Sequence, residues 1–266
     1  MKKVIFVLIL LFALSISSVF SAETKKYIEK KDIVYSKVGN IKLLMDMKTI
    51  DDGKKNKPAV ISLHGGGWEA GSKLNGMEYA NNVVEMGYTV FAINYRLLPF
   101  ANYPAQIIDS KSAVRYIRAN AKKFNIDPNR IASYGCSSGG TLATLLGVLP
   151  QGMFDEGDYL KTSSAVQAAI NYSGWAGYRD NYPANPTIYD FYADSFFFAT
   201  EKAAPHLLLY GATDDLVSYK NGALMEKILK QNNVYCEYYV DENGWHILSA
   251  EFIDPKIEAF LKKVLW

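Results

Sequence analysis

Short apolar runs alternate with stretches of helical spacing along most of this chain. Residues 59–63, 88–95, 131–134, 166–172, 206–210 and 234–240 are apolar runs of strand length and read as buried strands. Between them, residues 74–86, 105–124, 141–149 and 221–231 read as helices, and Gly87 closes the first. From residue 247 the chain is helical to its C-terminus, with a break expected near Pro255. The 105–124 segment predicts a long amphipathic helix with a basic outer face, stopped before Pro128. Ahead of this alternation, residues 33–35 and 41–47 read as two strands around a Gly39-Asn40 turn. The pattern predicts an α/β fold: a mostly parallel eight-stranded sheet with an antiparallel start and helices on both faces. Residues 174–204 depart from it. They are rich in Tyr, Phe, Asn and Pro without periodicity, and such a stretch is a candidate small lid or substrate loop. No internal repeat or linker appears, so residues 22–266 are expected to form one domain.

The first 21 residues stand outside that domain. Lys2 and Lys3 precede an apolar run over residues 4–14, and residues 15–21 turn small and polar. This is the form of a signal peptide, cleaved after Ser21 or Ala22. It predicts a secreted or periplasmic protein with no stable membrane anchor once the leader is removed. Loss of Lys2 and Lys3 takes 29 Lys and Arg to 27, against 27 Asp and Glu, a net charge of zero. That balance points to neither nucleic acid nor an anionic membrane as a partner. Two cysteines in an exported chain raise the question of a disulfide. Cys136 and Cys236 fall on strands expected three positions apart, roughly 14 Å, beyond disulfide reach. Both therefore read as small buried hydrophobes.

Residues 131–140, Ile-Ala-Ser-Tyr-Gly-Cys-Ser-Ser-Gly-Gly, join an apolar strand to a helix through Gly-x-Ser-x-Gly. A nucleophile elbow requires that context: a serine at the apex of a turn too sharp for a Cβ on its flanks. Ser137 is the candidate nucleophile, and the Ser138 amide opens the helix beside it. Acyl transfer on serine also needs a base, a group that orients the base, and donors for the oxyanion. Three histidines are available. His64 begins a glycine run and His206 lies inside an apolar strand as a core residue. His246 follows the last strand, beside Gly244 and Trp245, and is the candidate base. The orienting carboxylate is sought just after a strand, between Ser137 and His246. Asp214 and Asp215 both qualify, and either can also cap the turn. The Gly211-x-x-Asp214 spacing favours Asp214, with Asp215 turned to solvent or to a local amide.

Gly65-Gly66-Gly67 presents backbone amides with no side chains in the way. Those of Gly66 and Gly67, with that of Ser138, are the candidate oxyanion hole, and Trp68 can add its own amide. Trp68, Trp175 and Trp245 are candidate substrate-binding rings, since flat aromatic faces suit sugar rings or feruloyl groups; ordinary core packing is the competing reading. The histidines and cysteines have no metal-ligand spacing. The glycine run lacks the Lys-Ser/Thr of a phosphate-binding loop. His64, Ser137, Asp214 and His246 all lie beyond strands, and in parallel sheets ligands bind at the C-terminal strand ends.

His64-Gly65-Gly66-Gly67-Trp68, Asn94-Tyr95-Arg96-Leu97, Gly135-Cys136-Ser137-Ser138-Gly139-Gly140, Asp214 and His246, in the order Ser, Asp, His, resemble the α/β-hydrolase superfamily. The resemblance covers essentially the whole chain after the leader. Among subgroups, the sequence is similar to bacterial carboxylesterases of the feruloyl/acetyl-xylan esterase-like and hormone-sensitive-lipase-like groups. It departs from the second where Cys136 replaces a common acidic residue and where residues 211–214 lack the form Asp-x-Leu-x-Asp. The short segment between leader and His64 also leaves little room for a cap, so the resemblance leans to the first group. It implies hydrolysis of small-molecule or carbohydrate esters, acetyl or feruloyl, without a cofactor. The alternatives are a serine peptidase of the same fold, which usually carries an extra N-terminal domain, and a non-catalytic binding protein, which typically lacks a triad member.

Overall fold

A computed structural model describes residues 25–177 and 194–266. The expected leader, and residues 178–193 of the expected substrate loop, lie outside the described residues. Within them the apolar runs pair into one eight-stranded sheet of order β1-β2-β4-β3-β5-β6-β7-β8. β1 (Tyr27–Val38) and β2 (Ile41–Ile50) form an antiparallel hairpin, and β2 pairs antiparallel with β4 (Thr89–Ile93). β4, β3 (Lys57–Leu63), β5 (Ile126–Cys136), β6 (Ala168–Tyr172), β7 (His206–Gly211) and β8 (Cys236–Asp241) then run parallel. This is the mostly parallel sheet with an antiparallel start that the alternating pattern predicts, and the arrangement that the resemblance to α/β-hydrolases implies.

The strands' two-residue side-chain period sorts the core onto two faces. Ile61 and Leu63 of β3 cluster with Ile107 and Val114 of α3 (Ala105–Ala119) and with Leu142 and Leu145 of α5 (Ser138–Val148). Val60 turns to the opposite face. There it meets Val83 and Val84 of α2 (Asn81–Glu85) and Ile257 and Phe260 of α7 (Ala250–Leu265). Leu208 and Tyr210 pack with Val148 of α5 and with Met225 and Leu229 of α6 (Lys220–Gln231).

Three helical expectations need correction. The 74–86 segment is two helices, α1 (Lys73–Tyr79) and α2, because the fully buried Ala80 between them leaves helical geometry at φ −101°, ψ 9°. Conversely, α7 runs unbroken through Pro255. The proline removes only the bond to the Glu251 carbonyl, in the exposed first turn. The 105–124 segment ends at Ala119, with the short α4 (Ala121–Phe124) after it, and its basic face is an outer one only at Lys122 and Lys123. Lys111 and Arg115 are buried. They and Arg118 point at residues 150–165, which form neither helix nor strand, so that their carbonyls need donors. Lys111 donates to the Pro150 and Met153 carbonyls. Arg115 donates to Asp155 at 2.6 Å and to the Asp158 carbonyl at 3.1 Å. Arg118 donates to the Pro128 and Ala165 carbonyls at 2.8 and 2.6 Å. A periodic pattern marks a residue as polar; it does not say whether water or a loop's carbonyls will face it.

Candidate active site

β5 is flanked by β3 and β6, so its C-terminal end opens in the middle of the sheet. Ser137 turns the chain there with φ 54° and ψ −124°, a region that L-residues seldom occupy. Two backbone bonds hold it: Ser137 N–H donates to the Tyr172 carbonyl at 2.8 Å, and Thr141 N–H to the Ser137 carbonyl at 3.1 Å. The turn closes only because its flanks lack side chains. A Cβ on Gly135 would stand 2.1 Å from the Gly139 oxygen, and one on Gly139 would stand 2.1 Å from the Leu63 oxygen. Strain in a position this tightly held is characteristic of functional sites.

Beyond β7, Asp214 divides its carboxylate between two tasks. Oδ1 accepts from the Leu216 and Val217 amides at 2.8 and 2.9 Å, capping the turn. Oδ2 lies 2.7 Å from His246 Nδ1. The carboxylate oxygen only accepts, so His246 Nδ1 is the donor of this bond and Nε2 is the nitrogen left for another partner. Both residues are buried, at 8% and 7% exposure. Asp215 is exposed, as expected, but meets a side chain rather than a local amide. Its Oδ1 accepts the Trp245 indole N–H at 2.8 Å.

The histidine loop lies across the end of β7. A Cβ on Gly211 would stand 2.3 Å from both the Gly244 and the Trp245 oxygens, and Thr213 N–H donates to the Gly244 carbonyl at 3.0 Å. The Asp214 carboxylate is within electrostatic reach of the elbow. Burial pushes the Cys136 thiol up to about 12, and Asp214 adds to the rise. Cys136 and Cys236 are both buried free thiols.

On the other side of the elbow, the glycine run follows β3. A Cβ on Gly65 would stand 3.2 Å from Ser137 Cβ, so the run packs directly against the serine. The Gly66 carbonyl accepts the Glu69 and Ala70 amides at 3.0 Å each, closing a turn. Among the described residues, no protein group accepts the amides of Gly66, Gly67 or Ser138. Trp68 donates its indole N–H to the Ser138 carbonyl at 3.2 Å, and its own carbonyl accepts Leu98 N–H at 2.8 Å. That second loop is fixed by Arg96, whose guanidinium grips Asp109 of α3 at 2.7–3.0 Å.

His64 is buried, with Nδ1 2.8 Å from the Gly65 oxygen and its ring stacked on Tyr95 at 4.1 Å. Tyr95 donates its hydroxyl to the His64 carbonyl at 2.7 Å. Burial lowers the His64 pKa, so this ring is a neutral structural group. His206 begins β7, at the end of the strand away from Asp214. It is fully buried, 2.7 Å from the Ala204 oxygen through Nδ1, and pushed down to about 4 by burial.

The aromatic candidates fall in three places. Trp68 meets the start of α5, and Trp245, 49% exposed, sets its ring edgewise to His246 at 6.0 Å. Trp175 is half-buried on the turn beyond β6. One residue at the centre went unread in the sequence. Tyr172 ends β6 and looks like any strand aromatic, yet both its carbonyl and its phenol enter the site.

The BD-FAE family model matches residues 45–229. Esterase LipC of Mycobacterium tuberculosis is 33% identical over 125 residues, covering 47% of this chain and 31% of that protein. The probable carboxylic ester hydrolase LipM of the same organism is 25% identical over an aligned 269 residues, covering 90% of this chain and 62% of that protein. The chain thus spans less than two thirds of either relative. Among solved structures, a truncated carbohydrate esterase from gut microbiota superposes with a TM-score of 0.80 at 22% identity, covering 91% of this chain and 98% of that one. The matched span takes in the Ser137 elbow and Asp214 and exceeds half of the sequence, so this chain belongs to the BD-FAE family, on an α/β-hydrolase fold.

Proposed function

We propose that this chain is an exported serine esterase that hydrolyses short-chain carboxylic esters, acetyl or feruloyl esters of carbohydrates above all. The observation that carries the reading is the 2.7 Å contact between His246 and Asp214, beyond the same strand ends as the strained Ser137 turn. In this reading Ser137 Oγ adds to the ester carbonyl while His246 Nε2 takes the hydroxyl proton. Asp214 keeps the ring in the tautomer that can do so and stabilises the imidazolium. The amides of Gly66, Gly67 and Ser138 receive the oxyanion. Collapse expels the alcohol, which leaves with the proton from His246. Water then adds to the acyl-serine with His246 again as base, releasing the acid and restoring Ser137.

Export rests on the composition of residues 1–21. The esterase names of LipC and LipM favour ester over peptide bonds. The carbohydrate preference rests on Trp68, Trp175 and Trp245 as apolar platforms and is in keeping with the name of the gut-microbiota structure. Bulky rings at the elbow would leave little depth for an acyl chain. A further methylene gains only about 0.8 kcal/mol where it can be buried, and forcing one into a shallow pocket costs more. The test is kcat/KM over p-nitrophenyl acetate to octanoate, acetylated xylo-oligosaccharides and methyl ferulate. We expect a maximum between acetate and butyrate, with release of acid from a sugar or feruloyl ester. A steady rise to octanoate would mean an extended acyl tunnel, and inertness toward every ester would remove the proposal.

A further inference from the structure

Tyr172 serves the site from both of its ends. Its carbonyl accepts the Ser137 amide at 2.8 Å, and its register partner on β5 is Cys136, the residue before the serine. Its phenol oxygen accepts the amide of Leu248 and lies 3.3 Å from the Leu248 carbonyl. Leu248 is buried and stands two residues beyond His246. A single residue therefore spans from the serine's turn, through its backbone carbonyl, to the loop that carries the histidine, through its phenol.

The span answers a geometric difficulty. β5 and β8 are separated by β6 and β7, so the loop after β8 must cross back over the strand ends to bring an imidazole to the elbow. The bonds from Thr213 to Gly244 and from Asp214 to His246 fasten that loop to the segment after β7. The Tyr172 phenol fastens it to the strand beside the elbow. Burial holds the phenol above the usual tyrosine range, so it stays neutral and keeps its hydrogen bonds wherever the enzyme works.

We infer that Tyr172 is a positioning residue that sets the separation of Ser137 Oγ and His246 Nε2, gripping one side by its carbonyl and the other by its hydroxyl. The inference rests on the proposed roles of Ser137 and His246. Proton transfer within such a pair is steep in distance, and a misplacement of about an ångström can cost on the order of 100-fold in rate.

The test is Tyr172→Phe, which keeps the ring and the carbonyl and removes only the grip on Leu248. With p-nitrophenyl acetate, well below the melting temperature, kcat should fall about tenfold with KM within about twofold. In a His246→Ala background the same change should cost nothing further, because it acts through the histidine. Tyr35→Phe removes another buried hydroxyl, bonded to the Asn94 carbonyl at 2.6 Å, and should leave kcat unchanged. Wild-type kcat in folded Tyr172→Phe, or the same loss repeated in the His246→Ala background, overturns the inference. Ser137→Ala separates the two layers. If it is inactive while Tyr172→Phe is fully active, only the clamp fails; if it is as active as wild type, the underlying reading fails and the clamp with it. Should Tyr172→Phe not fold, amide exchange in the unmodified chain decides: Leu248 must be protected like the core of β6, and exchange at the rate of an open loop rejects the clamp.

Discussion

Asp214 has one oxygen for the turn and one for the imidazole, and that division allows a sharp prediction. An amide at this position can keep Oδ1 as turn acceptor while its nitrogen replaces Oδ2. His246 must then lose its Nδ1 proton to remain bonded and presents the wrong tautomer to the serine. Asp214→Asn should lower kcat on the order of 10⁴-fold with KM little changed. Asp215→Asn keeps an oxygen for the Trp245 indole and should stay within about twofold of wild type, whereas Asp215→Ala frees the indole and should lose somewhat more. Steady-state kinetics on the three variants checks the ranking; a larger loss in Asp215→Asn than in Asp214→Asn would move the orienting role by one residue. The preference for Asp214 was legible in the sequence because it depends on a local offset from Gly211. The part played by Tyr172 was not, because its partner is a backbone amide 76 residues away and amides carry no sequence identity.

Among the elements, α3 separates what periodicity can read from what it cannot. Its start and apolar face are legible; its end at Ala119 is not, and neither is the direction of its cations, because residues 150–165 show no pattern that announces a need for donors. Arg115 is fully buried against Asp155 and two carbonyls. Arg115→Leu should destabilise the chain by about 3 kcal/mol, since it strands a largely buried carboxylate and the carbonyls together. Lys262→Ala, which removes an exposed pair with Glu258, should leave the urea midpoint where it is. Equal midpoints for the two variants would mean that the α3 cations are not what holds the 150–165 segment. The strand, turn and helix around Ser137 could be read in advance because Gly135 and Gly139 are the steric condition for the turn itself. The break at Ala80 and the unbroken passage through Pro255 could not, since packing and position in the helix decide them.

For the molecule as a whole, His206 makes stability depend on pH. Folding holds its imidazole at about 4, against 6.5 for a free side chain, so below 6.5 the unfolded chain takes up a proton that the folded chain refuses. The contribution is fully present above about pH 6.5, is lost as pH falls towards 4, and amounts to roughly 3 kcal/mol over that window. Urea unfolding of His206→Asn, whose amide can still donate to the Ala204 carbonyl, should show a shallower decline across it while ester hydrolysis at neutral pH is retained. An unchanged decline would place the sensitivity elsewhere. The central claim, that one serine carries out the chemistry, is tested most directly on the intact chain: reaction with a fluorophosphonate, intact-mass analysis, peptide mapping, and ester hydrolysis followed in the same sample. The account predicts a single adduct per chain, on Ser137, with hydrolysis lost in proportion to labelling. Full hydrolysis by a completely labelled chain, or an adduct on another residue that abolishes hydrolysis while Ser137 stays unmodified, would contradict it.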